Sequence, residues 1–226
     1  MQKLSVAISF LFVSFTSTVA FAEDGILITA PSTCAEWKSG VNVDAGALDK
    51  LQKNAVSEKP EGALLYTKSQ FVVLLAKNVA KAKNILSTSK DKIPKTSDGL
   101  VDLRDITVNG FNLSGLNFDS VDFKGAEMNG ADLSGSSFRG ASLSKVELDG
   151  ANLNNANLSY ANLTKTKYKY ASLCRATLVA ADLDSAVLLG AYLKEAKLDT
   201  AKNIPPIIYQ NALNILQFGL PVPPEN

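Results

Sequence analysis

The sequence predicts an all-β solenoid in which the chain turns a corner every five residues. Residues 101–200 divide into twenty blocks of five without a slip, and the third residue of each, from Leu103 to Leu198, is Leu, Val, Phe, Met or Tyr. The first residue of each block is Ala or another apolar residue, except at Ser136 and Thr166. Against a composition that is 46% apolar, so regular a run of third residues arises by chance on the order of once in 10⁷. Eight of the twenty closing residues are Gly, including those of Asn109-Gly110, Asn129-Gly130 and Asp149-Gly150; Gly accepts a positive φ at a turn without steric cost.

The period excludes the common alternatives. In an α-helix each residue turns about 100°, so positions five apart point about 140° away from one another and no apolar stripe forms. A flat sheet fails because apolar spacings of two and then three break strict alternation. A corner every five residues lets four blocks close one square coil, with first and third residues inward and the other three facing water.

Blocks such as Ala131-Asp132-Leu133-Ser134-Gly135, Ala151-Asn152-Leu153-Asn154-Asn155 and Ala161-Asn162-Leu163-Thr164-Lys165 resemble the pentapeptide-repeat proteins, whose consensus is A-(D/N)-L-x-x. The resemblance covers residues 101–200, less than half of the chain. It implies a right-handed quadrilateral β-helix of about five coils, stacked about 4.8 Å apart into a rod about 24 Å long. Residue n then lies under residue n+20. Leu113, Leu133, Leu153, Leu173 and Leu193 form one inner column; Phe118 and Phe138 begin another, and Phe123 stands among leucines in a third. The first-coil residues Val101, Ile106, Phe111 and Leu116, with Val121 after them, are bulky where Ala mostly follows, so that end is expected to meet an apolar cap. No inward position carries a charge.

Four regions are expected: a signal peptide at 1–22, an N-terminal partly helical capping region and linker at 23–99, the β-helix at 100–202, and a C-terminal cap and Pro-rich tail at 203–226. Lys3, the apolar stretch 4–13 and Ala20-Phe21-Ala22 have the order of an export signal cleaved after Ala22. The apolar run is half the length of a membrane span, which needs about 20 residues, and Pro31-Ser32-Thr33 before Cys34 is no lipobox. A strand is expected at Ile26-Leu27-Ile28, a short helix at 45–56, and a firmer helix at 69–86 with Ser69 as N-cap. Phe71, Leu74, Leu75, Val79, Ala82, Ile85 and Leu86 supply its apolar face. Its Lys77, Lys81 and Lys83 leave two readings, a cap over the open coil edge or a membrane-surface helix. Pro205-Pro206 opens a second capping helix that ends at Gly219.

The chain has no His, so Ser-His-Asp and Cys-His sites are excluded, along with the commonest metal ligand. No Gly-rich phosphate loop stands apart from the repeat, and the rod's carboxylates face outward on a convex body. We expect no enzyme, no cofactor and no metal. Without Lys3, the remaining 22 basic residues balance 22 acidic ones, which argues against nucleic acid and anionic membranes as partners. Some family members protect DNA gyrase by imitating DNA, but duplex DNA carries one charge per about 1.7 Å. Residues 101–200 hold 12 acids and 10 bases, far short of such an imitation.

Two local features remain. Tyr160, Lys165, Lys167, Lys169, Tyr170 and Arg175 mix aromatic and basic side chains and form a candidate partner-docking patch. The twenty-residue offset gives them another reading: Lys167 over Glu147, Lys169 over Asp149, Arg175 under Glu195, and Tyr170 between Gly150 and Gly190. Thr166 and Tyr168 replace the usual inward Ala and Leu, so local widening of the coil is expected. Cys34 and Cys174, the only cysteines, can form a single bridge or remain two thiols. Cys174 and Asn154 are both expected to face outward, Cys174 within reach and Asn154→Asp nearly silent.

The expected function is a noncatalytic exported scaffold that binds an unidentified protein in the periplasm, or in the thylakoid lumen should the source be a cyanobacterium. The alternatives are a secreted effector acting on a host, or a membrane-surface accessory protein working through helix 69–86.

Overall fold

A computed structural model describes residues 65–206, together with the backbone of β1 (Val19–Phe21) and β2 (Leu27–Thr29). These two strands pair antiparallel, Val19 opposite Thr29, so the expected strand 26–28 begins one residue later. The rest of the expected signal peptide, the expected helix 45–56, Cys34 and the C-terminal segment beyond Pro206 lie outside the described residues.

The rod is built from parallel pairings at a constant offset of twenty. β3 (Val101–Asp102) pairs with β4 (Val121–Asp122). On another side, bridges link Asn112 to Asp132, Asn152, Ser172 and Tyr192 in turn. The four sides, numbered in chain order, start at residues 101, 106, 111 and 116, and the pairing on side one continues as far as Asp182 with Lys202.

Backbone bonding explains the consensus residue by residue. In the block that begins at Ala131, the first amide closes the turn on Met128 O at 3.1 Å. The second reaches back to Phe111 O at 2.9 Å, and the third and fifth donate forward to Asn152 O and Asn154 O, each at 2.8 Å. Only the fourth amide is left, and a buried or half-buried amide without a partner is costly. Asp132 Oδ1 accepts it from Ser134 at 3.1 Å, and Asn152 and Asn162 do the same for Asn154 and Thr164. On side two, a fourth-position side chain serves the coil above: Asn129 Oδ1 accepts from Asp149 N and Asp149 Oδ1 from Lys169 N, each at 2.9 Å. Asp or Asn at the second position therefore completes the backbone accounting.

Every fifth residue from Asp105 to Thr200 has a positive φ, between 56° and 75°, and twelve of these twenty are not Gly. A side chain in this left-handed region costs about 1–2 kcal/mol. The corner persists because its own amide donates to the next coil, as Gly135 N does to Asn154 O at 2.8 Å, and the following amide closes the turn, as Ser136 N does on Leu133 O at 3.1 Å.

Inward positions are filled as the sequence predicts. Leu113, Leu133, Leu153, Leu173 and Leu193 are all buried, and Phe118, Phe123 and Phe138 cluster with ring centroids 5.1–6.0 Å apart. The two polar exceptions turn their hydroxyls onto the backbone. Ser136 Oγ donates to Leu113 O and Thr166 Oγ1 to Leu143 O, both at 2.7 Å.

The expected single helix 69–86 is two helices. α1 (Lys68–Lys77) starts from Thr67, whose hydroxyl accepts from Gln70 N while the Gln70 side chain accepts from Thr67 N. Ser69 thus lies inside the first turn rather than at the cap. Asn78, with φ −146° and ψ 72°, ends α1 and caps α2 (Val79–Thr88) by accepting from Lys81 N at 3.0 Å. Apolar spacing alone cannot show this break, because the face resumes in phase after one residue. Phe71, Leu75, Ala82, Ile85 and Leu86 join Ile93, Val101, Ile106, Phe111 and Leu116 in one core.

Lysines finish the contact. Within the rod, a fourth-position carbonyl accepts a fifth-position amide from the coil before it, as Lys124 O does from Asp105 N at 3.0 Å. The first coil has no coil before it. Lys68 Nζ donates instead to Arg104 O at 3.2 Å, and Lys90 Nζ to Asp119 O at 2.6 Å. Burial lowers the Lys90 pKa, against the pull of Asp119. Asp102 N bonds Pro94 O at 2.7 Å, so the segment before the rod also covers part of the open edge.

Candidate interaction surfaces

The repeat register decides where the six residues of the candidate patch stand. Tyr160 is at the corner between sides four and one, Lys165 at the next, Lys167 and Lys169 on side two, Tyr170 and Arg175 at the last two corners. They run from the last corner of the third coil round the fourth and do not share one face.

Several of them are occupied with their neighbours in adjacent coils. Lys167 Nζ donates to Glu147 Oε1 at 2.5 Å and Arg175 Nε to Glu195 Oε2 at 2.6 Å. Each bond lowers the pKa of its acid first through that hydrogen bond; for Glu147, Asn129 adds a second. Both pairs are solvent-exposed, where such contacts contribute little. Asp149 meets Lys169 through the backbone amide. The Tyr170 ring lies against Gly190, in the space a Cβ there would need. Lys145 and Lys165 are exposed corners on the same column, and no contact explains their like charge.

Tyr160 is different. Its side chain is 57% exposed, and the Arg139 guanidinium lies 5.2 Å from its ring centroid. Tyr and Arg are among the residue types enriched at binding hot spots, and the guanidinium over the ring holds the two together. Val187, 39% exposed, is a smaller apolar point above Lys167 on side two. A third charged group, at the first coil, is structural: Asp102 takes two bonds from Arg104, at 2.9 and 2.8 Å. That arginine bond chiefly holds the Asp102 carboxyl below the usual carboxylate range.

The inward Tyr168 is fully buried, and its Oη has no hydrogen-bond partner. Burial raises its pKa, while the nearby Thr166 hydroxyl opposes the shift weakly. Thr166 gives its own hydrogen to Leu143 O, and the Tyr168 hydroxyl is left without a bond.

One expectation for side three is corrected. Cys174, reachable for a bridge as its outward position implied, is one half of a disulfide and is fully buried. Asn154 is 7% exposed, and its Oδ1 accepts from Ser172 Oγ at 2.5 Å and Cys174 N at 3.1 Å. Position within the block gives the direction of a side chain, but not what is laid over it.

Among the described residues no group of His, Cys, Asp and Glu could hold a metal ion, and no helix is long and apolar enough to cross a membrane. What the geometry defines is a parallel β-solenoid with an apolar filling and rows of outward side chains at fixed spacing. Residues 101–135 and 131–167 match a family model described as pentapeptide repeats (8 copies). Members of that family fold as right-handed quadrilateral β-helices.

Among solved structures, the chain is similar to Rfr23 of the cyanobacterium Cyanothece 51142, at 32% identity over 42% of this chain and 63% of that one, with a TM-score of 0.29. It is similar to a pentapeptide-repeat protein of the Arabidopsis thaliana thylakoid lumen, at 28% identity over 42% and 66%, with a TM-score of 0.30. HetL, a Nostoc protein involved in heterocyst differentiation regulation, is 31% identical over 46% and 56%, with a TM-score of 0.22. The chain therefore spans less than two thirds of the length of each. No curated protein matches it.

Proposed function

We propose that this is a noncatalytic, exported scaffold that presents fixed rows of side chains to a protein partner, with Tyr160 and Arg139 as the contact point. The observation that carries this reading is the exposed Tyr160 ring, braced by Arg139 on a rod whose backbone bonding leaves it little freedom. A partner gains the area of the ring at small entropic cost, because the ring is already oriented. The neutral interior, free of inward charge, supports a structural rather than a catalytic role. Export rests on the leader-like order of residues 1–22, and the destination is a periplasm or a lumen. In this reading α1, α2 and their lysines seal the first coil, rather than binding a membrane. Nucleic acid is not a partner, since the rod's charges nearly cancel.

A photo-crosslinking residue placed at position 160, and for comparison at Lys145, tests the contact in the native envelope. One discrete protein adduct from position 160, and none from 145, is expected. Equal labelling at both positions, or none at 160, would refute the proposed contact. A mature chain beginning at Glu23 in the exported fraction is the expected result for localisation, and an intact Met1 in the cytosol the contrary one.

A further inference from the structure

The backbone accounting of the rod is incomplete on side four. In its first three coils each fourth amide has an acceptor: Asn117 Oδ1 for Asp119 N, Asp119 Oδ1 for Arg139 N and Asn157 Oδ1 for Ser159 N, at 2.9–3.1 Å. In the fourth coil Thr177 replaces the second-position Asn, and the residue below is Ser159 rather than an Asp. Val179 N has no hydrogen-bond partner among the described residues. The same column holds a second unmet group. Arg139 is exposed and lies against the Tyr160 ring, and no carboxylate among the described residues comes within ion-pair distance of its guanidinium. Open fourth amides also occur on other sides, at Ser144 and Leu189, but no unpaired guanidinium stands in their columns, since Arg104 is held by Asp102.

We propose, resting on the Tyr160 contact above, that the partner lies on side four between Arg139 and Val179, and that the segment received there is extended and carries a carboxylate. Arg139 and Val179 stand two coils apart in one column, about 10 Å. Three residues of extended chain, at about 3.3 Å each, cover that distance. At one end the planar fork of Arg139 donates to the carboxylate. At the other, a main-chain carbonyl accepts from Val179 N and does what an Asn or Asp side chain does in the coils below. Between the two ends the Tyr160 ring, with the half-buried Val179 and Ala180 beyond it, offers apolar area. Charge sets the direction of the segment. At the far end Lys197 and Asp199 offset each other, and Arg175 pairs with Glu195 at the edge. Below Arg139, the Asp119 carboxylate is taken up by Ser137 Oγ and Arg139 N. The attraction for an acid is therefore centred on Arg139.

Two capped peptides, Glu-Ala-Ala-Leu and Gln-Ala-Ala-Leu, probe this face on the isotope-labelled mature chain with no partner present. The Glu peptide is expected to move the Val179 amide resonance saturably and to leave the equally open amides of Ser144 and Leu189 in place. Affinity should fall by about threefold or more for the Gln peptide, and likewise in Arg139→Gln. Thr177→Asn gives Val179 N the internal acceptor that Asn157 gives Ser159 N. It should weaken the Glu peptide by about threefold or more, with the circular dichroism of the rod unchanged. Equal shifts at the three amides, equal affinity for the two peptides, or a Thr177→Asn chain that binds as before would each overturn the proposal. Photo-crosslinking from position 160 separates the acidic segment from the contact itself, and the adduct is expected to weaken in Thr177→Asn. An adduct that keeps its full yield there removes the acidic segment and leaves the Tyr160 contact standing. No adduct from position 160 in the otherwise unaltered chain removes both.

Discussion

Replacing Tyr168 by Phe removes one atom from the centre of the rod, and the structure gives the sign of the effect. Tyr168 is completely buried between inward leucines, and its hydroxyl is bonded to nothing. A buried polar group without a partner carries a desolvation penalty of about 1–3 kcal/mol. Phe keeps the ring and its packing, and loses only the contacts of one oxygen. Tyr168→Phe is therefore expected to stabilise the chain by about 1 kcal/mol, which in a protein of this size raises the midpoint of thermal unfolding by about 2–4 °C. The pH dependence is a second, separable readout. Burial raises the phenol pKa in the folded chain above its ordinary value of 10.0. Above that value the unfolded state gives up a proton that the folded state keeps, so stability falls as pH rises, by up to about 1.4 kcal/mol per unit. The Phe variant lacks this contribution, so its advantage should grow through the alkaline range. Urea unfolding followed by circular dichroism, at neutral pH and again above pH 10.0, measures both. A loss of about 1 kcal/mol or more in Tyr168→Phe would show that the hydroxyl is satisfied in the folded protein, and an advantage that does not change with pH would show that the phenol is not shielded from water; either refutes the reasoning.

Four further results are expected. Leu153→Asp places a charge in the buried leucine column and should prevent folding or destabilise by several kcal/mol. Asn154→Asp, one residue along, should lose about 1–2 kcal/mol rather than nothing, because its site is covered; chemical denaturation compares the two. Gly190→Ala forces a side chain into the left-handed corner and against the Tyr170 ring, for a loss of about 1–3 kcal/mol. Introducing it into Tyr170→Ala should reduce that loss by about 1 kcal/mol, read from a double-mutant cycle. For Asp102, whose bond from Arg104 depresses its pKa below the ordinary 3.8, the stabilisation is present above 3.8. It is lost as pH falls from there through the folded value. Asp102→Asn should therefore be less stable than wild type by about 1–2 kcal/mol at neutral pH, with the difference closing in acid, as followed by an acid titration of unfolding.

The blocks around Leu133 and Leu153 show how far the sequence reaches. The period placed both residues inward and twenty positions apart in one column, and Glu147 with Lys167, Arg175 with Glu195 and Tyr170 with Gly190 followed from the same offset. The Asp or Asn at second positions was visible, but its reason was not. Only the backbone accounting shows that the fourth amide lacks a partner in the coil and that the side chain two residues earlier supplies it. The helix break at Asn78 was hidden because the apolar face of α1 continues in α2 after a single residue, whereas the cap is one side-chain hydrogen bond.

A regular five-residue period by itself determined which side chains fill the rod, since inward and outward alternate with the corners whatever lies elsewhere in the chain. It determined the neighbours of each residue for the same reason, because stacking turns a distance in sequence into a distance in space. The tertiary structure alone decided what becomes of the outward side chains. Asn154, Ser172, Cys174 and Tyr192 are buried while matching positions on side two are open, and Lys68 and Lys90 hold carbonyls of the first coil. The lysine contacts join parts of the chain that share no period, and no local pattern records where such parts come to rest; the burial of Asn154 depends on which side chains its neighbours in the next coil carry.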